Sequence, residues 1–208
     1  MRILAIETAT EACSVALFEG DELIASDHRE LGRGHAERLV PMIADLPNKG
    51  RAERILVSLG PGSFTGVRIG IATARALGFA WGAQVLGYPT LALVAAMAED
   101  QGVEGSTVCM TGGHGEWFIA DFDKGPTPAS PMRSLTPEAA KARGAMASIA
   151  GSKAQDFADL IELKSSVFQM LPDASHALAL PQALLTTDLS PIYGRAPDAK
   201  PQKQVAPQ

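Results

Sequence analysis

The chain has 208 residues, of which 46% are hydrophobic and 20% are charged, a composition typical of a folded globular protein and not of a disordered or fibrous one. Its net charge is −5, and no run of Lys or Arg interrupts the sequence. A large nucleic-acid surface is therefore excluded, because neutralising phosphates requires clustered basic residues. We expect any role on RNA to be indirect.

The first residues and the cysteines indicate a cytoplasmic protein. An apolar run enters strand-like sequence at once and meets Glu7, which leaves no room for the apolar region of a signal peptide. Arg75 and Pro89 interrupt the two most apolar windows before they reach the ~20 residues of a membrane span. Cys13 and Cys109 lie in apolar runs, which predicts buried thiols and no disulfide.

Three β-rich runs open the chain, at residues 3–8, 13–18 and 23–29, and predict an antiparallel meander. Apolar residues then recur at helical spacing over residues 35–46. Pro41 lies inside this helix and predicts a kink or a break, because proline removes one backbone hydrogen bond. The apolar run at 55–59 is typical of a buried central strand.

A glycine-rich loop joins that strand to the next predicted helix, with the sequence GPGSFTGVRIG at residues 60–70. It is not a Walker A loop, because Val67 and Arg68 follow the last loop glycine in place of Lys and Ser or Thr. Its glycine spacing is GxGxxxG, which also differs from the GxGxxG of dinucleotide-binding loops. A nucleophile elbow is absent as well, so Ser63 or Thr65 is expected to cap the helix.

Small residues recur at every fourth position of the helix that follows, at Gly66, Gly70, Ala74 and Gly78. One ridge of this helix therefore carries almost no side chain, and another backbone can approach it closely. Glycine inside a helix costs up to ~1 kcal/mol relative to alanine, so a packing or surface role is expected to offset that cost. Two explanations remain open: packing on the sheet beneath, or the approach of a partner protein.

The rest of the chain predicts a second, smaller lobe. The polar segment 99–106 marks the boundary, and we expect an N-terminal lobe at 1–102, a C-terminal lobe at 103–195 and a disordered tail at 196–208. The predicted elements, in chain order, are a strand at 85–87, a helix at 90–97, a hairpin of 107–110 and 116–122, a helix beginning at 136–138, strands at 148–150 and 167–170 with a helix at 153–160 between them, and a helix at 174–185 strained by Pro181.

Five segments carry a family resemblance: ILAIETAT at 3–10, ACSVAL at 12–17, RGHAERLVPM at 33–42, GPGSFTGVRIG at 60–70 and PIYGR at 191–195. Together they resemble the TsaB family, also called YeaZ. The likeness is strong over residues 1–100 and weaker over 101–190. It implies an α/β, actin-like ATPase (ribonuclease H-like) fold with two lobes, each a mixed sheet flanked by helices.

The resemblance also implies a function. TsaB proteins are non-enzymatic partners of the catalytic subunit TsaD and the ATPase TsaE, which together place threonylcarbamoyl on N6 of adenosine 37 in tRNAs reading codons that begin with A. We therefore expect a non-catalytic subunit that contacts tRNA only through the complex and has no membrane partner. In isolation, the same helices would allow a homodimer.

The residues at the phosphate position of an actin-like ATPase do not fit phosphate. That position reads Glu7-Thr8-Ala9-Thr10-Glu11, with no glycine to admit a phosphate and with two carboxylates to repel one. Glu7 is interpreted either as a metal or water ligand or as a strand-end carboxylate bonded to nearby backbone. We expect no cofactor and no catalytic residue.

A metal site is not predicted either. The four histidines, His28, His35, His114 and His176, are not spaced three or four apart, so none forms the HxxxH pair of the catalytic relatives. Two alternatives nevertheless remain beside an interaction subunit: an actin-like ATPase or small-molecule kinase that uses the cleft, and a metallopeptidase.

The leading hypothesis places a partner interface on the outer faces of the helices at 35–46 and 67–79. Arg68 and Arg75 are seven residues apart on one helical face and would pair with carboxylates of a partner or with a phosphate, although a solvated face is the alternative. The expected interface residues are His35, Arg38, Leu39, Met42, Phe64, Thr65, Arg68, Gly70, Ile71 and Arg75.

Overall fold

A computed structural model describes residues 1–164 and 166–194, and its first half is built on a five-stranded mixed sheet. The elements of this lobe are β1 (Arg2–Glu7), β2 (Ala12–Glu19), β3 (Glu22–Glu30), α1 (His35–Asp45), β4 (Arg54–Ser58), α2 (Phe64–Trp81), β5 (Gln84–Tyr88) and α3 (Thr90–Asp100). The strand order in the sheet is β3-β2-β1-β4-β5. The strands β1 to β3 are antiparallel, and β4 and β5 run parallel to β1.

The second half repeats this arrangement in shorter elements. The elements are β6 (Ser106–Thr111), β7 (Trp117–Phe122), β8 (Arg133–Leu135), α4 (Pro137–Arg143), β9 (Ile149–Gly151), α5 (Ala154–Leu160) and β10 (Val167–Gln169). The strand order in this sheet, read from its β8 edge, is β8-β7-β6-β9-β10. The strands β6 to β10 therefore take the positions of β1 to β5 in the first sheet. The repeated order confirms the predicted actin-like two-lobe α/β fold.

The helix α3 joins the two sheets through a shared core. All its residues from Thr90 to Ala98 are buried, and the cluster that contains them includes Leu86 of the first sheet and Val108 and Phe118 of the second. Such an enclosed helix needs apolar residues on every side, which explains its uninterrupted apolar sequence. The domain limits at 102 and 103 stay a prediction.

The predicted break at Pro41 is wrong, because α1 continues through this residue. Pro41 is on the exposed side of the helix, whereas Leu39, Met42 and Ile43 are buried. Packing of this apolar face therefore holds the helix together despite the hydrogen bond that proline removes.

The helix predicted at 174–185 is also wrong. The structure has two short 3-10 helices there, Ala174–Ala179 and Gln182–Leu184, and Pro181 stands in extended conformation between them. Pro181 has no N–H with which to continue the helix, so the helical segment is interrupted there. At the start of the segment, the amide of Ala174 donates to the Ser14 hydroxyl at 2.8 Å.

A final segment, residues 186–194, returns to the first lobe, and we call it the strap. Thr186 exchanges two backbone hydrogen bonds with Gly87 in β5, at 2.7 and 3.0 Å. The amide of Ile192 donates to the carbonyl of Leu59 at 2.7 Å. The predicted tail at 196–208 and Arg195 of the last motif lie outside the described residues.

Across residues 1–164 and 166–194, no helix combines the length and the apolar character that crossing a lipid bilayer requires.

The glycine ridge of α2 faces the protein's own sheet. A Cβ atom at Gly66 would lie 2.1 Å from the carbonyl oxygen of Thr8, and one at Gly70 would lie 2.4 Å from the Thr8 hydroxyl. At Gly78 the nearest atom would be a methyl group of Val85, also at 2.4 Å. Packing on the sheet beneath, one of the two explanations that the sequence left open, is therefore the reason for the ridge.

This packing gives a stability prediction. Gly66→Ala should lower the free energy of unfolding by about 3 kcal/mol, because the new methyl group meets backbone that cannot move aside, and this clash outweighs the better helix propensity of alanine. The matched control is Gly113→Ala, where a Cβ would meet nothing within 4 Å and little change is expected. Urea denaturation of both variants measures the difference, and equal stabilities would contradict the packing.

Candidate functional site

An opening between the lobes has a volume of about 1020 Å³. Its walls come from both lobes and from the strap, at residues 9–11, 32–37, 62–69, 111–114, 118 and 191–194. The N-terminal ends of α1 and α2 both line it. It is therefore the place where the cleft of an actin-like protein meets the candidate partner helices.

The glycine-rich loop does not form an open phosphate cradle in this cavity. The amide of Ser63 donates to the carbonyl of Ala9 at 2.6 Å and is therefore engaged within the protein. A Cβ atom at Gly62 would lie 2.0 Å from the same carbonyl, so the loop rests directly on the β1–β2 connection. The Ser63 hydroxyl accepts from the amide of Gly66 at 3.2 Å, which confirms a serine cap on α2.

Glu7 is a buried carboxyl at the end of β1. Its Oε1 accepts hydrogen bonds from the amide of Ala9 at 2.7 Å and from the Ser58 hydroxyl at 2.8 Å. These contacts confirm a strand-end carboxylate bonded to nearby backbone. No group in the described part of the chain bonds to its Oε2.

Burial dominates the electrostatics of this carboxyl. Loss of solvent raises the pKa of Glu7 from 4.5 to about 7, and the hydrogen bonds from Ala9 and Ser58 offset only part of that effect. A substantial share of the molecules therefore carry a neutral Glu7 at neutral pH. A neutral, enclosed carboxyl is a poor ligand for a cation.

The histidines are dispersed. His35 is buried at the start of α1, with its Nε2 3.1 Å from the carbonyl oxygen of Ala12. His28 Nδ1 lies 3.5 Å from Oδ2 of Asp173, and His176 Nε2 lies 4.0 Å from Oδ2 of Asp100. In the described ranges, no three His, Cys, Asp or Glu side chains are placed to hold a metal ion.

The ten predicted interface residues divide into two groups. The structure buries half of them inside the chain, and their side chains pack within the first lobe and its sheet. The buried residues are His35, Leu39, Met42, Gly70 and Ile71. The exposed residues are Arg38, Phe64, Thr65, Arg68 and Arg75. Only the second group presents side chains to solvent, and its contact with a partner stays a prediction.

The exposed side of α1 and α2 is unusually apolar. Phe79 is 94% exposed and Val40 is 54% exposed. The same two helices expose small residues, Ala36 and Ala44 on α1 and Ala72, Ala76 and Ala80 on α2. We call this set of residues, with the five exposed predicted residues, the helix face. Large apolar side chains exposed beside small ones in this way are typical of interaction sites.

Arg68 is held at one end of the helix face by two aromatic rings. Its guanidinium carbon lies 3.7 Å from the centroid of the Phe64 ring, and its Nη2 donates to the Tyr193 hydroxyl at 2.8 Å. The two rings stack with centroids 5.7 Å apart. Tyr193 was missed by the sequence reasoning, because it lies 125 residues from Arg68 and only the PIYGR motif drew attention to its segment.

A family model and a named relative that match this chain both concern threonylcarbamoyl modification of tRNA. A family model described as "TsaD: tRNA N6-adenosine threonylcarbamoyltransferase" matches residues 24–129. The TsaB protein of Escherichia coli, a tRNA threonylcarbamoyladenosine biosynthesis protein, is 46% identical over 101 residues, which are 46% of this chain and 43% of that protein. The chain thus matches less than half the length of this relative.

Two further matches extend over nearly the whole chain. An uncharacterised protein of Mycobacterium tuberculosis is 30% identical over 206 residues, covering 96% of this chain and 94% of that protein. A solved structure described as YeaZ from Pseudomonas aeruginosa superimposes with a TM-score of 0.76 at 29% identity, covering 92% of this chain and 99% of that one.

The buried carboxyl generates a pH-dependent prediction. Because folding raises the pKa of Glu7 from 4.5 to about 7, the wild type loses stability as pH rises through this window, and the loss is complete above the folded-state value. Glu7→Gln stays neutral at every pH. The variant should gain stability over the wild type between pH 5 and 8, reaching about 3 kcal/mol.

Urea denaturation at pH 5, 6, 7 and 8 measures this difference. The exposed carboxylate of Glu22 provides the matched control, since Glu22→Gln should leave the pH profile of the wild type unchanged. A constant difference between Glu7→Gln and the wild type at all four pH values would contradict a buried carboxyl that gains a proton on folding.

Proposed function

Because the chain belongs to the TsaB (YeaZ) family, we propose that it takes part in the biosynthesis of threonylcarbamoyladenosine in tRNA as a non-catalytic subunit. It binds TsaD, the transferase, and works with TsaE for N6-threonylcarbamoylation of adenosine 37 in tRNAs that read codons beginning with A. The name of the E. coli relative and the family model support this pathway. The subunit reaches tRNA only through the complex.

The observation that carries the proposal is the helix face. It combines fully exposed apolar side chains such as Phe79 with three exposed arginines, Arg38, Arg68 and Arg75. An isolated soluble protein gains nothing from exposing such a surface, whereas a protein interface has an apolar centre with arginine among its enriched residues. Two helices lying side by side also offer ridges and grooves for a pair of helices from a partner.

The cleft supports a non-catalytic role. The Ser63 amide is already bonded to Ala9, and Glu7 is enclosed and bonded to Ala9 and Ser58. The glycine-rich loop and the carboxyl at the end of β1 are thus both engaged in hydrogen bonds within the protein. Activation of TsaD through the interface then needs no chemistry from this subunit.

One observation favours a second candidate, an actin-like ATPase or small-molecule kinase: the inter-lobe cavity of about 1020 Å³ is large enough for a nucleotide. Measurement of ATP binding and turnover by the isolated chain separates the two candidates. Turnover by the isolated chain would establish the second candidate. Absence of both binding and turnover would eliminate it.

The interface prediction uses one exposed alanine on each of two helices. Ala72→Glu places a charge and extra volume in the middle of the helix face and should weaken binding to TsaD at least 100-fold, because a buried, unpaired carboxylate is costly in an interface. Ala139→Glu makes the same change on the exposed side of α4 and should leave the affinity unchanged.

Isothermal titration calorimetry with purified TsaD measures both affinities, and circular dichroism verifies that both variants fold. Wild-type affinity in the folded Ala72→Glu variant would show that the helix face is not the interface. Analytical ultracentrifugation of the chain alone tests whether a second copy uses the same face, since Ala72→Glu would then also dissociate a homodimer.

A further inference from the structure

The cluster of Phe64, Arg68 and Tyr193 leaves part of the guanidinium unused. Nε and Nη2 of Arg68 both donate to the Tyr193 hydroxyl, at 3.3 and 2.8 Å, and the Phe64 ring covers one face of the planar group. Within the described residues, Nη1 has no hydrogen-bond partner. The free N–H groups therefore form a donor edge whose orientation the two aromatic residues fix.

This arrangement removes a cost that exposed arginines normally have. A free Arg side chain adopts many rotamers, and it loses this conformational entropy when it forms a specific contact. Stacking on Phe64 and the bonds to Tyr193 restrict Arg68 before any partner arrives. A planar guanidinium with neighbouring free N–H groups is suited to a carboxylate, which it binds through two parallel hydrogen bonds.

The strap that brings Tyr193 to α2 is anchored to both lobes. Ile192 bonds to Leu59 of the first lobe, and Gly194 lies so close to Phe118 of β7 that a Cβ would be 2.1 Å from its ring. Neighbouring Leu189 accepts a hydrogen bond from Arg75 at 3.4 Å through its carbonyl. Tyr193 is therefore held in a defined place although the residue is 48% exposed.

The charges of the helix face indicate what Arg68 would meet. The protein has a net charge of −5, yet α2 contains no acidic residue, and Arg68 and Arg75 are its only charged side chains. A partner surface that is apolar and carries carboxylates is complementary to this helix.

We infer that Tyr193 positions Arg68 to receive a carboxylate of the TsaD subunit, so that the strap, and not the helices alone, completes the docking surface. The inference rests on the proposed function, because it concerns the same interface. Tyr193 acts here as a positioning residue. Its hydroxyl orients the guanidinium and does not itself contact the partner.

The test compares Tyr193→Phe, Arg68→Gln and the double variant in binding to purified TsaD by calorimetry. Tyr193→Phe keeps the ring stack and removes only the hydroxyl, and we expect a five- to tenfold weaker affinity. Arg68→Gln should weaken binding at least as much. In the double variant, loss of the hydroxyl should have no further effect beyond twofold, because the hydroxyl acts only through Arg68.

Salt dependence provides a readout that a merely structural role would not change. The affinity of the wild type for TsaD should decrease as NaCl is raised from 50 to 500 mM. This dependence of affinity on salt, the salt slope, should be weaker in Arg68→Gln and in Tyr193→Phe alike. Arg133→Gln, which removes an exposed arginine from β8, should retain the wild-type affinity and slope. Unfolding midpoints of all variants should agree with that of the wild type.

The outcomes separate the two proposals. If the wild type does not bind TsaD, the proposed function fails. If the wild type binds but Tyr193→Phe binds equally well with the same salt slope, only the positioning role fails. If loss of the hydroxyl weakens binding further in the Arg68→Gln background, Tyr193 contacts the partner directly. That result, or a homodimer that alone depends on Arg68, would overturn the inference.

Discussion

The contact between the glycine ridge of α2 and the end of β1 is the constraint on which the rest of the structure depends. Gly62 and Gly66 approach the carbonyl oxygens of Ala9 and Thr8 so closely that no side chain fits between them. The Thr8 hydroxyl donates to the Gly66 carbonyl at 2.8 Å. This contact fixes how far α2 lies from the sheet and which side of the helix faces outward.

Two consequences follow for function. The Ser63 amide of the glycine-rich loop is bonded within the protein, and Glu7 is enclosed with a pKa raised to about 7. The opposite side of α2 is at the same time left exposed, with Arg68, Arg75 and Phe79 on it. The same packing that holds the loop against the β1–β2 connection thus presents a surface suited to a protein partner, and the proposed function rests on both.

The repeated topology of the two lobes determines where that surface is completed. Both sheets have the same strand order, α3 is buried between them, and after the second sheet the chain returns to the first lobe. The strap makes this return through hydrogen bonds to Gly87 and Leu59. It brings Tyr193 onto Arg68, so an element that follows the second lobe belongs to the helix face of the first.

The sequence by itself determined the opening antiparallel meander of the first lobe, a hydroxyl cap at Ser63 or Thr65, and the glycine ridge, because these depend on local periodicity and on the stereochemistry of single residues. It also excluded a Walker A loop. Only the tertiary structure decided that the ridge faces the sheet, that Gly70 and Leu39 are therefore buried, and that Tyr193 meets Arg68. Helical periodicity distinguishes two faces of a helix but does not say which of two apolar faces meets the core, and contacts between residues 125 apart have no local signal.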